Sequence, residues 1–198
     1  TKVVKSLNRE YAEDDGTGLT PYVMAIQANA AGTAAAPDGQ FTNPIFVAGG
    51  GFDVPVVPTV TNGAYSAGDI VGALMEFDNL VPVNDAALVV TGIQIVSKAA
   101  VTPTWSFIIL NADPSSTTKT DNAAYSLNAA DAFKVLKSLT GFTLFDHGTP
   151  NSWSLENINL ICKPATGTKK LYGLLIDGTG VTLTSTGDIQ VRMRGAVI

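Results

Sequence analysis

TVTNGAYSAGDIVGALMEFDN, residues 59–79, joins two turn signals to the chain's first long apolar run. Asn62-Gly63 accepts the positive φ angles of a tight turn, and Ser66-Ala67-Gly68-Asp69 adds a second break directly ahead of Ile70-Val71. Residues 69–77, DIVGALMEF, are apolar on both faces and interrupted by Gly72 and Glu76, which reads as a strand entering a core. The stretch marks where a β domain begins.

Ahead of it, residues 1–55 hold no sustained period. Residues 21–26 (PYVMAI) predict a short strand, but residues 28–40 (ANAAGTAAAPDGQ) are rich in Ala and Gly and nearly free of bulky side chains. Alone they bury too little surface to offset their ordering entropy. Isolated large apolar residues among Pro and Gly follow, from Phe41 to Phe52. Such a makeup suits either an extended N-terminal arm, residues 1–55, that lies in grooves on a partner, or a flexible linker.

Behind it, residues 56–198 predict a β-sandwich. Strands are expected at residues 56–61, with Pro58 confining that one to an edge, and at 70–77, 86–97 and 105–110. A polar loop over residues 111–122 leads to one short helix, residues 129–137, capped by Asn128, with Asp131 in its first turn, Lys134 and Lys137 in its last, and Phe133 and Leu136 turned inward. Strands resume at residues 142–145, 157–163, 170–176, 181–184 and 188–197, the last alternating Ile189, Val191, Met193 against Gln190, Arg192, Arg194. Eight to ten strands and one helix give an all-β, jelly-roll-like sandwich.

The chain's 198 residues suffice for one domain with a substantial core. A hydrophobic fraction of 45% beside a charged fraction of 15% leaves much apolar surface to bury, which burial in an assembly would resolve. The net charge of −5 argues against a nucleic-acid surface, where Lys and Arg must cluster to neutralise phosphates. Between Arg9 and Lys98 stand ten acids and no Lys or Arg, whereas Lys2, Lys5 and Arg9 form a basic tip beside the acidic cluster Glu10, Glu13, Asp14, Asp15. That tip docks onto a charged partner or is simply a solvated terminus. No apolar run reaches the ~20 residues of a membrane span, and the polar start lacks the apolar region of a signal peptide.

Chemistry finds no foothold in the pattern. His147, the one histidine, sits beside Asp146 in a turn, and adjacency on extended backbone points the two side chains apart. Cys162, the one cysteine, lies in the apolar run INLICK as a buried thiol, and one His with one Cys cannot close a zinc site. Asp113, Asp121 and Asp131 flank the polar loop without the spacing of a calcium loop and read as turn residues. Gly49-Gly50-Gly51 lacks the Lys and helix of a phosphate loop. Tyr65, Tyr125, Tyr172, Trp105 and Trp153 are the aromatics available to a sugar site, and core packing accounts for them as well. The expectation is a protein without catalytic, cofactor-binding or metal-binding residues.

Three pieces of sequence carry a resemblance. Residues 64–72 (AYSAGDIVG), residues 118–125 (TKTDNAAY) followed by Leu127 and Asp131, and Leu171-Tyr172-Gly173 with the closing strand resemble, in order, the tailed-bacteriophage structural proteins described as head decoration, cement or head-fibre proteins. The likeness spans residues 56–198. It implies a β-sandwich, commonly a homotrimer, bound through the major capsid protein to the exterior of the virion, made in the host cytoplasm, with no catalysis and no cofactor. By the same resemblance Tyr65, Gly68, Asp69 and Gly72 shape the first turn and strand, and Asp121 and Asn122 shape the loop ahead of the helix. A receptor- or glycan-binding module of a phage fibre or tail is the alternative, since it shares that architecture. A β-sandwich hydrolase comes third, resting on the bare possibility that two of 17 acids converge.

Overall fold

β-Branched and aromatic runs divided by turns build ten strands among the described residues. They are β1 (Gly51–Val56), β2 (Gly63–Ala64), β3 (Ile70–Phe77), β4 (Leu88–Ser97), β5 (Thr104–Leu110), β6 (Val135–Thr143), β7 (Asn151–Cys162), β8 (Leu171–Asp177), β9 (Thr182–Leu183) and β10 (Ile189–Val197). The computed structural model of the protein describes residues 50–99, 101–145, 147 and 151–198, with the backbone alone for residues 151, 152 and 154–156. The chain divides into two units, Thr1–Pro44 and Ile45–Ile198, and the described residues belong to the second.

Two four-stranded sheets, ordered β1-β10-β4-β7 and β3-β8-β5-β6, face each other, and β2 pairs with β9 beside them. Every pairing is antiparallel. The eight long strands pair first with last (β1–β10), second with seventh (β3–β8), third with sixth (β4–β7) and fourth with fifth (β5–β6). These nested antiparallel pairs build an all-β sandwich of two sheets.

The core lies between the sheets. β3 supplies Val71, Met75 and Phe77, β4 Leu88, Val90, Ile93 and Ile95, β5 Trp105, Phe107 and Ile109, and β10 Ile189, Val191 and Met193. Alternation therefore sends Gln190, Arg192 and Arg194 of β10 outward, where both arginines approach Asp53 of β1 at 3.4 and 3.6 Å. The sheet β3-β8-β5-β6 is apolar on its outer face as well: Ile70, Ile108, Leu110, Tyr172 and Leu174 form a second buried cluster, against which Leu74, Tyr125 and Val135 pack. This second cluster explains why residues 69–77 are apolar on both faces.

Several expectations need correction. The strand expected at 56–61 is β1, residues 51–56, so residues 51–55, placed in the arm, belong to the sandwich. β1 hydrogen-bonds to β10 alone, an edge position that tolerates Pro55, and Pro58 then packs on Gly72 of β3 as the chain leaves the sheet. The helix is a 3-10 helix, Ala129–Lys134, three residues shorter than expected. Val135 takes extended geometry and begins β6 opposite Leu110, drawing Leu136 and Lys137 into the sheet. Phe133, expected inward, is 97% exposed. The strand expected at 142–145 begins at Val135, and that at 157–163 begins at Asn151. The strand expected at 21–26, and the arm up to residue 49, lie outside the described residues.

Candidate functional site

The connection from β5 to β6, residues 111–134, crosses the outer apolar cluster and is sewn to the start of β3. Asn122 N–H donates to the Ile70 carbonyl (2.8 Å), Ile70 N–H to that of Ala123 (2.9 Å), and Tyr125 N–H to that of Gly68 (2.8 Å). Asn122 adopts a φ of 55°, which its short polar side chain tolerates, and its Nδ2 donates to the Ala64 carbonyl at 3.3 Å. The polar loop thus meets the chain ahead of β3 in an isolated antiparallel bridge between Ala124 and Asp69.

At its centre the Asp121 carboxylate accepts four hydrogen bonds. Thr61 N–H (2.7 Å) and Thr61 Oγ1 (2.6 Å) donate to Oδ2; Tyr65 OH (2.8 Å) and Gly72 N–H (2.6 Å) donate to Oδ1. Tyr65 OH also accepts from Thr61 N–H at 2.7 Å. Burial, followed by the bond to Asp121, pushes the Tyr65 hydroxyl well above its ordinary pKa. Gly72 is where β3 bulges: the register with β8 slips between Val71 and Met75, and Gly72 and Ala73 hold φ of 83° and 56°. The bulge turns the Gly72 N–H off the ladder and toward Asp121. Asp69 closes the preceding turn by accepting from Ser66 N–H at 2.7 Å.

A second carboxylate fixes the other end of the connection. Asp131, buried, accepts from Ser116 N–H (2.8 Å) and Thr117 Oγ1 (2.9 Å) and pairs with Lys134 Nζ (2.8 Å). The bond from Lys134, seconded by those from Thr117 and Ser116 against the cost of burial, lowers its pKa to about 2. Lys134 Nζ also donates to the Asp113 carbonyl (2.7 Å), and Asn128 Oδ1 caps the helix by accepting from Ala130 N–H (2.9 Å). No local pattern announced the partners of Asp121, because it reaches back 49 to 60 residues.

The other sequence candidates are dispersed. His147 is exposed, with its ring 4.8 Å from that of Phe145; Asp146 lies outside the described residues. Burial pushes the Cys162 thiol up to about 11. Asp113 pairs with Lys119 at the surface. Trp105 is wholly buried, Trp153 stacks on Phe142 at 3.9 Å, and Tyr65, Tyr125 and Tyr172 pack in the clusters already described. Asp177, opposite Trp105 across β5 and β8, has a carboxyl that burial pushes upward. Among the described residues no three His, Cys, Asp or Glu side chains converge as metal ligands, and no helix is long and apolar enough to cross a membrane.

No family model matches this chain, and no curated protein is similar to it. What the geometry offers is a clasp, built from polar groups whose hydrogen-bonding positions are occupied by the protein itself. At the other end of the same connection stands a short helix with its apolar residues outward.

Proposed function

We propose that this chain is a virion structural protein that decorates and cements the outer surface of a tailed-bacteriophage capsid, binding the major capsid protein as a homotrimer. The observation that carries the reading is the spatial meeting of the three sequence pieces that resemble such proteins. Residues 64–72 and 118–125 close on each other through Asp121, Tyr65 and Gly72, and Leu171-Tyr172-Gly173 pairs alongside with Phe77, Glu76 and Met75. Scattered in sequence, they form one structural unit whose polar groups hold backbone. A shared clasp of this kind suits a protein whose task is to keep its shape under load. The sandwich supplies the rigid body, and the residues ahead of β1 supply the arm that runs along neighbouring subunits, so that several weak contacts add by avidity.

Capsid shells prepared without this protein, sedimented with increasing amounts of the full chain, test the reading. Saturable co-sedimentation at a fixed ratio per shell subunit is expected. Absence of binding, together with reproducible hits on a glycan array, would replace it with a receptor-binding role.

A further inference from the structure

Asn62-Gly63 is the one Asn-Gly pair in the chain, and the fold leaves its chemistry open. Gly63 has no Cβ, so its backbone nitrogen meets little hindrance in approaching the side chain of Asn62. Asn62 is exposed and sits in a bend directly ahead of β2. Its side-chain amide has no hydrogen-bond partner among the described residues. Gly63 pairs with Leu183, but the β2–β9 ladder is two residues long, and so short a ladder opens locally at little cost.

The reaction needs water and no other reagent. The Gly63 nitrogen gives its proton to solvent base and bonds to Asn62 Cγ, the Cγ–Nδ2 bond breaks, and ammonia leaves. Water then opens the cyclic imide at either carbonyl, giving aspartate or isoaspartate at residue 62. Isoaspartate routes the backbone through the former side chain and lengthens it by one carbon. Here that carbon falls between two anchors. Thr61 is tied to Asp121 through its N–H (2.7 Å) and Oγ1 (2.6 Å), and Gly63 is paired with Leu183. One residue separates the anchors, so the added length shifts one of them. We propose that Asn62 deamidates in the folded protein and that the isoaspartate formed loosens the clasp at Thr61. The proposal does not rest on the decoration reading.

The test incubates the full-length wild type and Asn62→Gln in mildly alkaline buffer, beside wild type unfolded in guanidinium, which reports the unrestrained reaction. Gln keeps the amide but must close a larger ring that forms far more slowly, and residue 62 is exposed, so the variant folds normally. Peptide mapping with an isoaspartate methyltransferase should find isoaspartate at residue 62 in the native wild type and none in Asn62→Gln. The converted wild type, isolated by its added negative charge, should melt about 2–4 °C lower, while Asn62→Gln incubated alongside keeps its melting temperature. A native chain that retains Asn62 while the unfolded control converts overturns the inference, because the β2–β9 ladder then shields the site. Conversion with an unchanged melting temperature overturns the loosening of the clasp. An equal loss of stability in Asn62→Gln would place the change at another residue and overturn the assignment.

Discussion

Gly72 N–H donates to Asp121 Oδ1 at 2.6 Å across 49 residues of chain, and that bond joins the bulge of β3 to the connection that covers it. Each side depends on the other: without the bulge the N–H stays in the ladder, and without the carboxylate it is left unpaired.

Replacing Asp121 by Ala removes the acceptor for four donors at once and is expected to destabilise the domain by about 2–4 kcal/mol. Asn at the same position keeps the shape but puts an NH2 group against donors, so Asp121→Asn should recover less than half of the loss. Chemical denaturation of both variants gives the comparison. An Asp121→Asn variant as stable as wild type would contradict the clasp.

Two glycines in the opening stretch separate strain from space. Gly68 (φ +96°) has open space where a Cβ would stand, whereas a Cβ on Gly72 (φ +83°) would overlap the Pro58 ring. Gly68→Ala should cost about 1–2 kcal/mol, from backbone strain alone, and Gly72→Ala distinctly more. Equal losses, read from melting curves, would mean that Pro58 yields freely.

Acid should act through Asp131. Its pKa falls from 3.8 to about 2 on folding, so its contribution is fully present above pH 4 and is lost as pH drops toward 2. Asp177 has the opposite sign: burial raises its pKa, so ionising it works against folding as pH rises above the ordinary carboxylate range. Thermal melts between pH 2 and 5 should therefore show a steeper acid slope for wild type than for Asp131→Asn. Identical slopes would place the acid sensitivity elsewhere.

Much of the fold was legible because period-2 patterns are local. β3 occupies the residues expected for it, and Ile189, Val191 and Met193 of β10 alternate into the core as read. The helix was less legible because Asp131 and Lys134, three apart, fit an α-helix and a 3-10 helix equally, and Phe133 and Leu136 read as its inward face. Val135 decided the matter by pairing with Leu110. The site was the least legible part: Asp121 looked like a turn residue, and nothing within ten residues of it hints at Thr61, Tyr65 or Gly72.

Cys162 should be nearly inert. A pKa raised from 9.0 to about 11 leaves about 100-fold less thiolate at pH 8 than an ordinary cysteine has. Mass spectrometry after iodoacetamide treatment should show alkylation only once denaturant is added. Rapid native labelling would place the thiol in solvent.

The central proposal, that this sandwich is a capsid decoration domain, is tested most directly by imaging. Cryo-electron microscopy of capsid shells with and without added protein should yield difference density on the outer surface into which the sandwich fits. Shells that give no ordered exterior density at saturating protein would contradict the account.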